Sequence, residues 1–364
     1  MPSNLSVLEI TERLIAMPTH NPGGDEPALA QYLATELREL RADAVDCQTF
    51  EIDGRRRAYV FARFGTPKLL VNAHIDTVPP NAGYSADPFK PRREGGRLVG
   101  LGTADTKGAI AAILAALGKS RPRDVGILFS GDEERDGNCI RAFIESPHKK
   151  GITQAIVCEP TNLKVGVRHR GIAVLEARIL AEGGHSSRAD ALPAPIARLG
   201  GLAVAWHDWG QSRAHIGPPG YPGLCLNVAS LDGGVAFNVI PSEATLTVSV
   251  RPPPGMENAN MLRVLSNMAQ SVAPESTLKI TVDNPSFQSR APAEFARWLG
   301  DFSKHPVDLG YWTEAAMLSQ AGIDAVVFGP GDIAQAHGPD EWVEVAELER
   351  AAQAFVNVFA TSAS

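Results

Sequence analysis

"KLLVNAHIDTVPP", residues 68–80, is an apolar run that stops on a histidine, an acid two positions later and a pair of prolines. Side chains alternate faces along a strand, so His74 and Asp76 project together from its carboxyl end. Alone, such a pair describes a strand capped as it enters a turn. What stands at the ends of the other strands decides whether it is more.

Working outward, "RAYVFARFG" (57–65), "DVGILFSG" (124–131), "AIVCEP" (155–160) and "DAVVFGPG" (324–331) have the same continuous apolar character. Helical periodicity runs through 27–40, 106–120, 138–146 and 346–362, and an amphipathic helix is expected within residues 1–18. Apolar strands separated by helices predict an α/β fold, a mostly parallel sheet with helices on both faces. The middle reads differently. Strands at 171–183, 224–233, 242–252 and 276–283 alternate with helices at 193–209 and 258–273. That order is β-α-β-β-α-β, the ferredoxin-like unit, complete in itself. The predicted organisation is therefore one domain from residues 1–170 and 284–364, interrupted by an inserted domain at 171–283.

A chain of 364 residues accommodates two domains, and a net charge of −7 argues against nucleic acid or an anionic membrane as partner. No apolar stretch reaches the ~20 residues that span a bilayer. The N-terminus lacks the marks of a signal peptide, and the four cysteines form no Cys-x-x-Cys pair, so a reducing cytoplasm is the expected compartment.

Open α/β sheets place their sites at the carboxyl ends of the strands. There the sequence sets His74, then Asp132, Glu133 and Glu134, then Glu159, then His337. Asp105 falls directly before a predicted helix, where an acid can serve as a simple N-cap. Carboxylates gathered on one edge repel one another and need a cation. Imidazole and oxygen donors without thiolate suit Zn²⁺, Mn²⁺ or Co²⁺, and there are enough for two ions sharing one carboxylate. Because Glu133 and Glu134 are adjacent, one can ligate while the other faces a water.

"HIDTVP", "GLGTADTKGA", "GDEE", "CEPT" and "GPGDIAQAHGPDE" resemble, in order and spacing, the signature blocks of the M20 dinuclear metallopeptidases. The resemblance runs from about residue 8 to 360 and implies a catalytic domain interrupted by a lid or dimerisation domain, hence a homodimer. It implies that His74 and Glu159 hold one metal ion and Glu134 and His337 the other, with Asp105 bridging and Glu133 as general base. Asp76 would orient His74 through its second ring nitrogen. The resemblance also implies a cis peptide bond after Asp105.

Within the family, "GGHSS" (183–187), "RPPPGM" (251–256), "WTEAAM" (312–317) and "GPGDIAQAHGPDE" (329–341) are similar to the acetylornithine deacetylase branch, which includes acetylcitrulline-cleaving members. The implied reaction is removal of acetyl from a small N-acetyl amino acid, in arginine biosynthesis. His185 would donate to the developing oxyanion, and Arg251, Asn238, Arg170 and Thr313 would hold the substrate, Arg251 gripping its carboxylate. Succinyl-diaminopimelate desuccinylases carry a Thr-Ser-Asp type of sequence where this chain has Thr313-Glu314-Ala315. Dipeptidase and carboxypeptidase members match these details less well. A metal-bound binding protein without catalysis has no need of Glu133.

Overall fold

The computed structural model describes residues 5–52 and 54–363, and they form two compact units. The first comprises residues 5–167 (without 53), 289–309 and 313–363; the second comprises 168–288 and 310–312. Along the chain the first unit contributes α1 (Val7–Ile15), α2 (Glu26–Glu39), β1 (Ala44–Ile52), β2 (Arg55–Phe64), β3 (Leu69–His74), α3 (Lys107–Leu117), β4 (Val125–Ser130), α4 (Asn138–Glu145) and β5 (Gln154–Cys158). The second contributes β6 (Ile172–Leu180), α5 (Pro195–Gln211), β7 (Cys225–Gly233), β8 (Glu243–Arg251), α6 (Asn258–Val272) and β9 (Thr277–Asn284). The first then resumes with β10 (Asp324–Val327) and α7 (Val345–Ala363).

Local chemistry sets the helix starts. Ser6 and Glu9 form a reciprocal capping box on α1, and Asp25 accepts from the Ala28 amide at 3.1 Å to open α2. The expected N-terminal helix is thus shorter than its apolar pattern, and residues 1–4 lie outside the described residues.

In the first unit the strand order is β1-β2-β4-β3-β5-β10. From β4 to β10 the neighbours are parallel, as expected. At the other side β1–β2 and β2–β4 are antiparallel, so a hairpin edge is joined to a parallel core. Helices α1, α2, α3 and α7 supply one apolar layer, with Leu14, Leu33, Ile110 and Phe355 all fully buried. On the other face α4 sets Phe143 against Tyr59 and Phe61, at ring separations of 6.3 and 5.3 Å. A small sheet aligns Trp342–Glu344 with Arg97–Val99 and Arg92–Glu94.

The second unit is a four-stranded antiparallel sheet in the order β7-β8-β6-β9, with β7 and β9 at its edges. Alternate residues Leu175, Ala177 and Ile179 of β6 and Leu246, Val248 and Val250 of β8 are buried together with residues of α5 and α6. The indole of Trp206, wholly buried, donates to the Leu265 carbonyl at 3.1 Å and ties these helices together. This is the ferredoxin-like order of elements. Among the described residues, no helix is long and apolar enough to cross a membrane.

Candidate metal centre

Each parallel strand delivers a side chain as its ladder ends. His74 is the last residue of β3, Asp132–Glu134 follow β4, and Glu159 follows β5. His337 lies on the loop after β10, with φ of 60°. Asp105 does not cap α3. Thr106 occupies the N-cap, and its hydroxyl donates instead to the His74 carbonyl at 2.8 Å. That leaves the Asp105 carboxylate free to face the sheet edge, and the Asp105–Thr106 bond is cis.

The Asp105 carboxylate is divided between the two histidines. Its Oδ1 lies 2.8 Å from His74 Nε2 and its Oδ2 lies 3.2 Å from His337 Nε2. His337 Nε2 also lies 3.0 Å from Glu134 Oε1, and His74 Nε2 lies 3.9 Å from Glu159 Oε2. Two sets result, His74–Asp105–Glu159 and Asp105–Glu134–His337, the ligand atoms of each within 4.8 Å of one another.

The electrostatics are those of a site short of positive charge. Burial, then the neighbouring Glu159, pushes Glu133 well above the usual carboxylate range. Burial does the same to Glu159, and burial with Asp105 raises Glu134. Burial also pushes Glu314 up to about 7. Hydrogen bonds to Asp105 and Glu134 pull His337 up to about 11, and Asp105 is held below its ordinary range by both imidazoles despite burial. Here protons hold mutually repelling acids together. A divalent cation in each set would displace the imidazole proton and neutralise the carboxylates, so the donor set fits a pair of such ions.

Asp76 does not act quite as expected. His74 Nδ1 donates to the backbone carbonyl of Asp76 at 2.9 Å, while the Asp76 carboxylate is 3.6 Å away. That carboxylate accepts instead from the amides of Glu133 and Glu134, at 3.1 and 3.2 Å. The chain bends after His74, bringing the carbonyl to the ring and freeing the side chain for the "GDEE" turn. Asp76 therefore shapes the turn that carries the expected base and one ligand.

Sequence reasoning passed over the groups behind that turn. Arg57, 5% exposed, donates to Glu26 Oε1 and Asn21 Oδ1 at 2.5 Å each, and its Nε lies 3.0 Å from Asp132 Oδ1. So oriented, Asn21 donates through Nδ2 to Asp76 at 3.2 Å. Gly131 must lack a side chain, because a Cβ there would sit 2.0 Å from Glu26 Oε2. None of these residues has a sequence signature, since each partner comes from a distant segment. Glu314, flagged only as a difference from the desuccinylases, is buried and accepts from the Ser130 hydroxyl at 2.6 Å. Thr313, beside it, is buried, and its hydroxyl accepts from the Ala315 amide at 3.3 Å.

The remaining predicted residues belong to the second unit. His185 is exposed, and its Nδ1 lies 2.8 Å from the Ser187 hydroxyl. The Ser186 amide donates to the Asn238 carbonyl at 3.0 Å, so His185 and Asn238 share the wall of an open cavity of about 710 Å³. Arg251 ends β8 half-buried, its guanidinium pKa lowered by burial and by the nearby Arg170. Arg170 is fixed by a 3.0 Å bond from Nε to the Gly223 carbonyl.

A sheet edge that gathers imidazoles and carboxylates in this way marks hydrolytic enzymes that work with metal ions. The chain belongs to peptidase family M20/M25/M40, whose model matches residues 70–361. That family is metal-dependent, and its members hydrolyse amide bonds. The chain is 36% identical to the N-acetyl-L-citrulline deacetylase of Xanthomonas campestris pv. campestris, over 95% of both chains. It is 30% identical to the acetylornithine deacetylase of Myxococcus xanthus, over 79% of this chain and 78% of that one. Among solved structures, the M20 family metallo-carboxypeptidase Sso-CP2 from Sulfolobus solfataricus shares the fold. Its TM-score is 0.77 at 16% identity, covering 98% of this chain and 99% of that one.

The buried ion network gives a direct prediction. Arg57→Met strands the carboxylates of Glu26 and Asp132, and removing one partner of a buried pair costs ~3–5 kcal/mol. Guanidinium denaturation should show a loss of that size; a change within ~1 kcal/mol would contradict the network's role.

Proposed function

We propose that the protein hydrolyses the amide of a small N-acetyl amino acid, releasing acetate and a free α-amino group, with N2-acetyl-L-ornithine or N-acetyl-L-citrulline as substrate. The observation that carries this reading is the split of the Asp105 carboxylate between His74 and His337, 2.8 and 3.2 Å from its two oxygens. The similarity to two named deacetylases supports the acetyl group. Such a reaction belongs in arginine biosynthesis.

In this reading His74 and Glu159 would hold one divalent ion and Glu134 and His337 the other, with Asp105 as the ligand shared between them; zinc is the first choice, with cobalt or manganese as substitutes. The ions supply a more acidic water and a polarised carbonyl. Glu133 takes the proton of the attacking water, its pKa already raised by burial, and passes it to the leaving nitrogen. The Asp76 carboxylate holds Glu133 and Glu134 in place through their amides. His185 donates to the oxyanion as the carbonyl becomes tetrahedral. Arg251 takes the substrate carboxylate through its guanidinium fork, and Asn238, Arg170 and Thr313 are further candidates for contacts to the substrate.

We further propose that the inserted domain is a lid that pairs with its copy in a homodimer, as expected for a cytoplasmic member of the family. The edge strand β9 and its neighbour β6 leave Ile280 and Leu180 49% and 66% exposed, and Phe237 is 99% exposed. A strand at the sheet's edge and exposed apolar side chains on the same unit favour association with a second copy.

Steady-state rates on N2-acetyl-L-ornithine, N-acetyl-L-citrulline and N-succinyl-L,L-diaminopimelate test the substrate class. One acetyl substrate should exceed the succinyl one at least ~10-fold in kcat/KM, the scale on which pocket contacts discriminate; the reverse order would refute the reading. Glu133→Gln should keep its metal content and lose roughly a hundredfold or more in kcat. Near-normal turnover would place the base elsewhere.

Mixing two inactive variants, His185→Ala and Glu133→Gln, tests whether the histidine is lent across the dimer. About half of randomly exchanged dimers are mixed and hold one competent site, so roughly a quarter of wild-type activity should return. If exchange is confirmed and no activity returns, His185 acts in its own subunit or not at all.

A further inference from the structure

The mechanism leaves one buried acid of the "GPDE" segment without a task. Glu341 is 1% exposed, and its carboxylate accepts from backbone amides of the loop that carries Asp105. Its Oε1 accepts from Ala104 N at 2.9 Å and from Asp105 N at 3.1 Å, and its Oε2 from Gly102 N at 2.9 Å. The Glu341 carbonyl accepts from Gly100 N at 2.8 Å, continuing the small sheet in which Trp342 pairs with Val99. That pairing sets where Glu341 stands along the loop. Gly102, at φ 84°, lets the loop turn around the carboxylate; a Cβ there would lie 2.9 Å from Thr77 Cγ2.

Asp105 is thus held at both ends by one short segment of chain. His337 reaches its carboxylate at 3.2 Å, and Glu341, four positions on, accepts its own amide at 3.1 Å. The carboxylate cannot be divided between two histidines unless the backbone that bears it is fixed in rotation and depth. Three amide hydrogen bonds onto the two oxygens of one side chain fix its plane against the loop.

We propose that Glu341 is the positioning residue that holds the Asp105 carboxylate between the two metal subsites. This rests on the reading of Asp105 as the shared ligand. Glu341 touches neither substrate nor metal, and acts only through the loop amides. Glu341→Gln keeps the shape but turns one oxygen into an amino group. Whichever way that amide is turned, at least one loop N–H then faces a donor, and the loop must shift.

The experiment is calorimetric titration of the metal-free, full-length protein with Mn²⁺. Wild type should take up two ions. In Glu341→Gln the more weakly held ion should bind ~10–100-fold less tightly, the scale on which groups supporting a ligand act. Glu347→Gln is the control, since Glu347 accepts from Gly331 N at 3.0 Å in the His337 loop but not from the Asp105 loop. It should change that affinity by about threefold or less. Should Glu341→Gln not fold, Glu341→Asp withdraws the carboxylate by one methylene and carries the same expectation. Wild-type affinity for both ions in the Glu341 variant overturns the proposal, and so does an equal loss in both variants, which would mean general loosening of the loops. Asp105→Asn is titrated alongside. If it too binds both ions as wild type does, it is the shared-ligand reading that falls, and this inference falls with it.

Discussion

One carboxylate, that of Asp105, has to meet two imidazoles delivered by the two ends of the same sheet edge, and much of the first unit is arranged around that requirement. His74 arrives at the end of β3, an inner strand of the parallel set, while His337 arrives on a loop after β10. Asp105 enters from a third segment, just before α3. Three independent stretches of backbone must therefore be fixed to within a few tenths of an ångström for distances of 2.8 and 3.2 Å to hold together. Parallel strands with covered faces are suited to this, because their ends are rigid and their register is set by buried side chains on both sides.

Precision of this kind runs against stability. Glu133, Glu134, Glu159 and Glu314 are all pushed towards their neutral forms by burial, so the folded state without cations carries acids that prefer to be protonated. The molecule offsets this with ordered polar support rather than with more cations at the site. Arg57 gathers Glu26, Asn21 and Asp132 behind the "GDEE" turn, and Asp76 accepts the amides of that turn. Metal ions bound at the candidate ligands would displace those protons and neutralise the acids, which would couple their binding to the stability of the site.

How much of this was legible in the sequence follows from the range of each interaction. The apolar strands and the helices could be read because their patterns are local, and so could the acids and histidines at strand ends. The strand β1 was not, since Ala44–Ile52 has no buried residue and presents no apolar run. The small sheet at Trp342–Glu344 escaped for a related reason: its strands span only three residues each. Asp105 looked like a helix cap from its neighbours alone, and tertiary placement overrode that local preference by shifting the cap to Thr106. Arg57 meets Glu26 across 31 residues and Glu341 meets Asp105 across 236, and no pattern within either segment announces the other. The family's signature blocks could supply the ligands but not these supports.

The most direct measurement is anomalous diffraction from crystals of the protein grown with Mn²⁺. Two peaks ~3.5–4 Å apart are expected, the spacing of ions that share a carboxylate. One Asp105 oxygen should lie against each peak, with His74 and Glu159 on one side and Glu134 and His337 on the other. A single peak, or two peaks of which Asp105 touches only one, would contradict it.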